Sequence, residues 1–138
     1  MNGLLGVGNP RLGDDALGPV FARAFRAPGW RCWNGGIAPE NYAPVLRRAG
    51  LARLVILDAA EMGLPPGTLR ELPPGRLAAA GFGTHAPSLS SLASYLSDAI
   101  PVVTILGIQP LSCIPSTPLS PPVRRALKDL ASTLLSLD

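Results

Sequence analysis

The stretch "LLGVGNPRLGDDALGP", Leu4–Pro19, decides how the chain is read. A short apolar run ends in a glycine-rich turn, and a segment of helical period, "ALGPVFARAFR", follows it. Strand, tight turn and helix in that order form the opening unit of a parallel α/β sheet. Turns of this kind often cradle a phosphate at the helix N-terminus, yet Asp14 and Asp15 stand side by side here. Two anions repel a phosphate. The dinucleotide fingerprint also fails, because GxGxxG counted from Gly6 needs glycine at position 11, where Arg11 stands. The acidic residue expected about 20 positions further on is missing, since Cys32, Trp33 and Asn34 occupy that place. No Gly-Lys-Ser/Thr completes a P-loop. The loop is therefore suited to a cation.

On either side of this stretch, strand-like and helix-like segments alternate. The first strand is expected over Gly3–Val7, and the first helix opens near Asp15, which can cap it, with Pro19 tolerated in the first turn. "WRCWN" (Trp30–Asn34) reads as a second strand, and "NYAPVLRRAG" as a helix ending at Gly50. The third strand is the clearest: "RLVILDAA" carries a continuous Leu-Val-Ile-Leu run, as a strand covered on both faces does. "GTLREL" (Gly67–Leu72) reads as an antiparallel edge strand. Leu89, Leu92 and Leu96 then mark a helix for which Ser88 is a candidate cap. "PVVTILGI" is another buried strand, and Val123, Leu127, Leu130 and Leu134 mark a closing helix. Ser120 can cap that helix, with Pro121 at its first position. The pattern predicts one domain over 1–138 with an α/β fold.

Composition narrows the function. The 138 residues are 47% hydrophobic and only 15% charged, which suits a globular protein rather than a disordered one. A formal charge of +3 comes from scattered arginines without interleaved aromatics, so nucleic-acid binding is not expected. Cys32 and Cys113 lie far apart and form neither a zinc ribbon nor a disulfide framework. The N-terminus has no basic leader, and the longest apolar run, "AIPVVTILGI", is about half of the ~20 residues that a membrane helix needs. A soluble, cytoplasmic protein is expected.

Three residues carry the chemistry. Asp15 opens the first helix. Asp58 closes the third strand, where an unpaired carboxylate inside the core would cost several kcal/mol, and where ligands of open α/β sheets collect. His85, the chain's single histidine, sits in the small-residue loop "GFGTHAP" before a helix and can reach the same rim. Alone, each has an ordinary structural explanation: a helix cap, a salt-bridge partner, a loop imidazole. Together, two carboxylates and one imidazole make an open site for a divalent ion such as nickel or zinc. Asn9 and Asp14 are candidates for hydrogen-bonding support of these ligands, and Asp14 is also a candidate cap.

The chain resembles the [NiFe]-hydrogenase maturation endopeptidases, most closely the group serving hydrogenases of the formate-hydrogenlyase (hydrogenase 3) type. The likeness rests on "GVGNPRLGDDALGP", "GGIAPEN", "LVILDAAEMGLPPGTLREL", "GTHAPSLSSLASYL", "ILGIQP" and "PLSPPVRRALKDL", in that order along nearly the whole chain. The match is poor over "LSCIPSTPLS", Leu111–Ser120. The resemblance implies a three-layer α/β/α sandwich with a central, mainly parallel twisted sheet of about five strands. It also implies removal of a short C-terminal extension from the precursor of a hydrogenase large subunit after nickel has entered that precursor. The family's metal-contacting residues fall on Asp15, Asp58 and His85. Nickel is then expected to arrive with the substrate, leaving the isolated protein, expected to be a monomer, free of metal. Two rival readings are a non-catalytic maturation chaperone that holds the precursor and a small-molecule hydrolase on the same fold.

Overall fold

A computed structural model of the chain describes residues 1–73 and 86–137. Five strands among the described residues form one sheet: β1 (Asn2–Val7), β2 (Trp30–Gly36), β3 (Arg53–Ala59), β4 (Leu69–Leu72) and β5 (Val102–Ile108). Their order is β2-β1-β3-β5-β4, and every pairing is parallel except that of β4 with β5. The helices are α1 (Leu17–Ala24), α2 (Ala43–Arg48), α3 (Ala86–Leu96) and α4 (Pro121–Leu135), with single 3₁₀ turns at Gly13–Ala16 and Pro39–Tyr42 leading into α1 and α2.

The period of two along each strand sorts the apolar residues into two cores. Leu5, Val7, Leu54, Ile56 and Ile105 face one side and meet Leu46 of α2 and Leu89, Leu92 and Leu96 of α3. Leu4, Val55, Leu57 and Ile108 face the other and meet Phe21 and Phe25 of α1 and Val123, Leu127, Leu130 and Leu134 of α4. The central strand β3 is buried on both faces, which is why its sequence is continuously apolar instead of alternating. Helices thus cover both faces of the sheet, as the three-layer expectation requires.

Local expectations needed adjustment. The second strand runs two residues past Asn34 and includes both glycines. Neither acid of the first loop caps α1; the N-cap is Ala16 and makes no side-chain hydrogen bond, because a 3₁₀ turn takes up the entry and turns both carboxylates elsewhere. Ser88 is not a cap, since α3 already begins at Ala86. Ser120 does occupy the N-cap of α4 with Pro121 behind it, but its hydroxyl donates to Asp14 and not into the helix.

Candidate active site

From β1 the chain passes through α1, on one face of the sheet, to β2 on one side. From β2 it returns through α2, on the opposite face, to β3 on the other side of β1. This reversal opens a crevice at the carboxyl ends of β1 and β3, the usual ligand position in open α/β sheets. The loop after β1 and the end of β3 deliver Asp15 and Asp58 to that rim.

Glycines make the approach possible. A Cβ on Gly18, in the first turn of α1, would lie 2.3 Å from the Val7 carbonyl oxygen and 2.6 Å from that of Leu57. The helix therefore rests directly on the ends of β1 and β3, one residue from Asp58. Gly8 has φ +141°, and a Cβ there would stand 2.0 Å from the Asp15 carbonyl oxygen. So the glycine-rich turn folds the acidic segment back over the strand that precedes it.

Asp15 is half-buried, and its Oδ2 accepts the backbone N–H of Asn9 at 2.8 Å. The Asn9 side chain is engaged elsewhere, with Oδ1 accepting the N–H of Arg11. Asn9 thus meets Asp15 through its backbone N–H, which fixes one carboxylate oxygen in place. Asp58 is 5% exposed and paired in register with Gly107 of β5. His85 lies outside the described residues. Among the described residues, no group of three or more His, Cys, Asp or Glu side chains forms a metal cluster.

Asp14 does something different. It is fully buried, and its carboxylate accepts the N–H groups of Leu111 (2.8 Å), Ser112 (3.3 Å) and Ser120 (2.7 Å) together with the Ser120 hydroxyl (2.7 Å). Burial alone would raise its pKa, but the donors from Ser120, Leu111 and Ser112 outweigh it and hold the group below the ordinary carboxylate value. Asp14 fastens both ends of the loop spanning 111–120 to the turn that carries Asp15. It does not hydrogen-bond Asp15.

Sequence reasoning passed over Gln109 and Glu61. Gln109 is buried where β5 ends, and its Oε1 accepts the N–H of Met62 at 2.7 Å while its Nε2 donates to the Glu61 carboxylate. That amide, helped by the Gly63 N–H, lowers the pKa of Glu61. The signal was the one that exposed Asp58: a polar side chain ending an apolar strand run, here "ILGIQP". Cys113 also lies against Asp15. Burial first, and then the negative charges of Asp15, Asp14 and Glu61, hold its pKa above the ordinary thiol value.

A family model described as hydrogenase maturation protease matches residues 19–137. The chain belongs to the hydrogenase maturation protease family. Its relatives include the hydrogenase 3 maturation protease of Escherichia coli (strain K12), 37% identical over 135 residues that cover 95% of this chain and 86% of the relative. The solved structure of the endopeptidase HycI from Escherichia coli aligns with a TM-score of 0.85 at 34% identity, covering 98% of this chain and 89% of that one. A [NiFe] hydrogenase maturation protease HycI from Thermococcus kodakarensis shares the fold, with a TM-score of 0.84 at 24% identity over 97% of this chain and 89% of that one. A hydrogenase maturation protease is a hydrolase acting in protein processing. That activity sets aside the chaperone and small-molecule readings. Among the described residues, no helix of this maturation protease is long and apolar enough to cross a membrane.

Proposed function

We propose that this hydrogenase maturation protease removes a short C-terminal extension from the nickel-loaded precursor of a [NiFe]-hydrogenase large subunit. Asp15, Asp58 and His85 contact the nickel that the precursor carries. The observation that supports this reading is the delivery of two carboxylates, from separate crossover units, to the crevice between β1 and β3. Oxygen donors combined with an imidazole suit nickel, and three protein ligands leave room for the precursor's own groups. Bound in the precursor, nickel would supply Lewis acidity beside the scissile carbonyl or a fixed anchor for the peptide. This chain's part is to orient: the Asn9 N–H fixes one oxygen of Asp15, and the close packing of α1 on β1 and β3 fixes the turn that bears it. We place the reaction in the cytoplasm, in keeping with the free thiols of Cys32 and Cys113.

Co-expression with candidate large-subunit precursors, with and without nickel, tests this. Intact-mass measurement should show loss of a C-terminal peptide only when nickel is supplied, and Asp15→Asn should abolish that loss. Normal processing by the Asp15→Asn protein, or equal processing without nickel, would remove the basis of the proposal.

A further inference from the structure

The loop spanning 111–120 packs against the acidic turn at the rim. It contains no charged residue in ten positions, two of which are proline (Pro115 and Pro118). Leu111 is 57% exposed and Ile114 60% exposed, although both are large aliphatic side chains. Their exposure is not a sign of a loose segment. Asp14 pins both ends of the loop, Ser112 Oγ accepts the Ile114 N–H at 3.3 Å, and Thr117 Oγ1 donates to the Ile114 carbonyl at 2.7 Å. The Ser116 N–H donates to the Arg11 carbonyl at 2.9 Å, and the Asp14 N–H to that of Ser112 at 2.9 Å. The loop is thereby held against the acidic turn, and Cys113, between the two aliphatic residues, lies beside Asp15.

Building on the proposed proteolytic function, we propose that Leu111 and Ile114 form a preformed docking surface for an uncharged, apolar segment of the precursor next to the bond that is cut. The occupant follows from three features of the loop. A surface without charge offers nothing to an acidic or basic segment, whereas two aliphatic side chains held in water gain free energy on being covered. The hydrogen bonds fix the loop before the substrate arrives, so docking loses little ordering entropy. The bonds between Asp14 and residues 111 and 112 set the loop beside the turn that carries Asp15, so a chain lying on Leu111 and Ile114 is next to that acid. A second copy of this protein on the same surface would block that rim and inhibit cleavage.

The test uses the full-length protein and a purified nickel-loaded precursor. The double variant Leu111→Ser/Ile114→Ser should raise KM about tenfold or more while kcat stays within about twofold, because the lost contact is the same in the ground and transition states. Its thermal midpoint should match the wild type, since both side chains are exposed. The conservative variant Leu111→Met/Ile114→Val should restore KM. An unchanged KM in the serine variant, or a fall in kcat with KM unchanged, overturns the docking surface and leaves the protease assignment standing. Failure of the wild-type protein to cut the precursor overturns both. Concentration-dependent dimerisation that the serine variant abolishes, with KM unaltered, assigns the surface to a second copy instead.

Discussion

The Asp14 carboxylate gathers four donors from residues about a hundred positions away along the chain. Asn in its place keeps one acceptor and turns an amide group toward the same N–H groups. Asp14→Asn should therefore destabilise the protein by about 2–3 kcal/mol, the scale of hydrogen bonds to a buried charge. The pH dependence has a definite sign. A carboxylate whose folded pKa is lowered adds stability that is complete above its unfolded value of about 4 and is lost as the pH falls through the folded value. The stability gap between wild type and Asp14→Asn should thus be constant from neutrality down to about pH 5 and close below about pH 4. Urea midpoints measured across that range check it; a gap that persists in acid would mean the carboxylate's charge is not what the loop responds to. At this scale the sequence exposed two acids that needed a purpose but not which of them faces inward. That depends on Leu111, Ser112 and Ser120, and no local pattern around residue 14 points to them.

At the scale of single elements, α1 owes its place to its glycine more than to its hydrophobic face. A methyl group on Gly18 would press into the backbone of two neighbouring strands at once, 2.3 Å from the Val7 oxygen and 2.6 Å from the Leu57 oxygen. Backbone in the middle of a sheet cannot yield as a flexible side chain does. Gly18→Ala should cost about 3 kcal/mol by overpacking. Gly50→Ala is the control: φ there is +70°, but nothing lies within 4 Å, so only the left-handed backbone is strained, by about 1 kcal/mol. Denaturant midpoints for the two variants should fall in that order, and equal losses would show that α1 has slack above the strands. Elements themselves were largely legible, because apolar runs such as "RLVILDAA" have few alternatives. Their ends were not. Asp15 does not cap α1, because its carboxylate accepts the Asn9 N–H, whereas Ser120 holds the N-cap position of α4 as expected but gives its hydroxyl to Asp14.

For the molecule as a whole, what matters is strand order. Alternating strand and helix segments announce a parallel sheet, but only the order β2-β1-β3-β5-β4 places the loop after β1 beside the end of β3. Periodicity carries no information about which strands become neighbours, so the arrival of the segments bearing residues 15 and 58 at one end of the sheet could be expected from chemistry but not read from pattern. If both acids serve one site in that crevice, they must act as a unit, and this is measurable. Lengthening either side chain by one methylene moves its carboxylate by more than 1 Å, a displacement that costs about a hundredfold in rate at a positioned site. Asp15→Glu and Asp58→Glu should each lower kcat/KM for precursor cleavage by about that factor. Groups that hold the same ion are strongly non-additive, so the double variant should lose little beyond the worse single one. Two independent roles would instead multiply, to about ten-thousandfold. Asp58 is nearly buried, so thermal melts of each variant must accompany the kinetics, and a multiplicative loss in folded protein would separate the two acids into different functions.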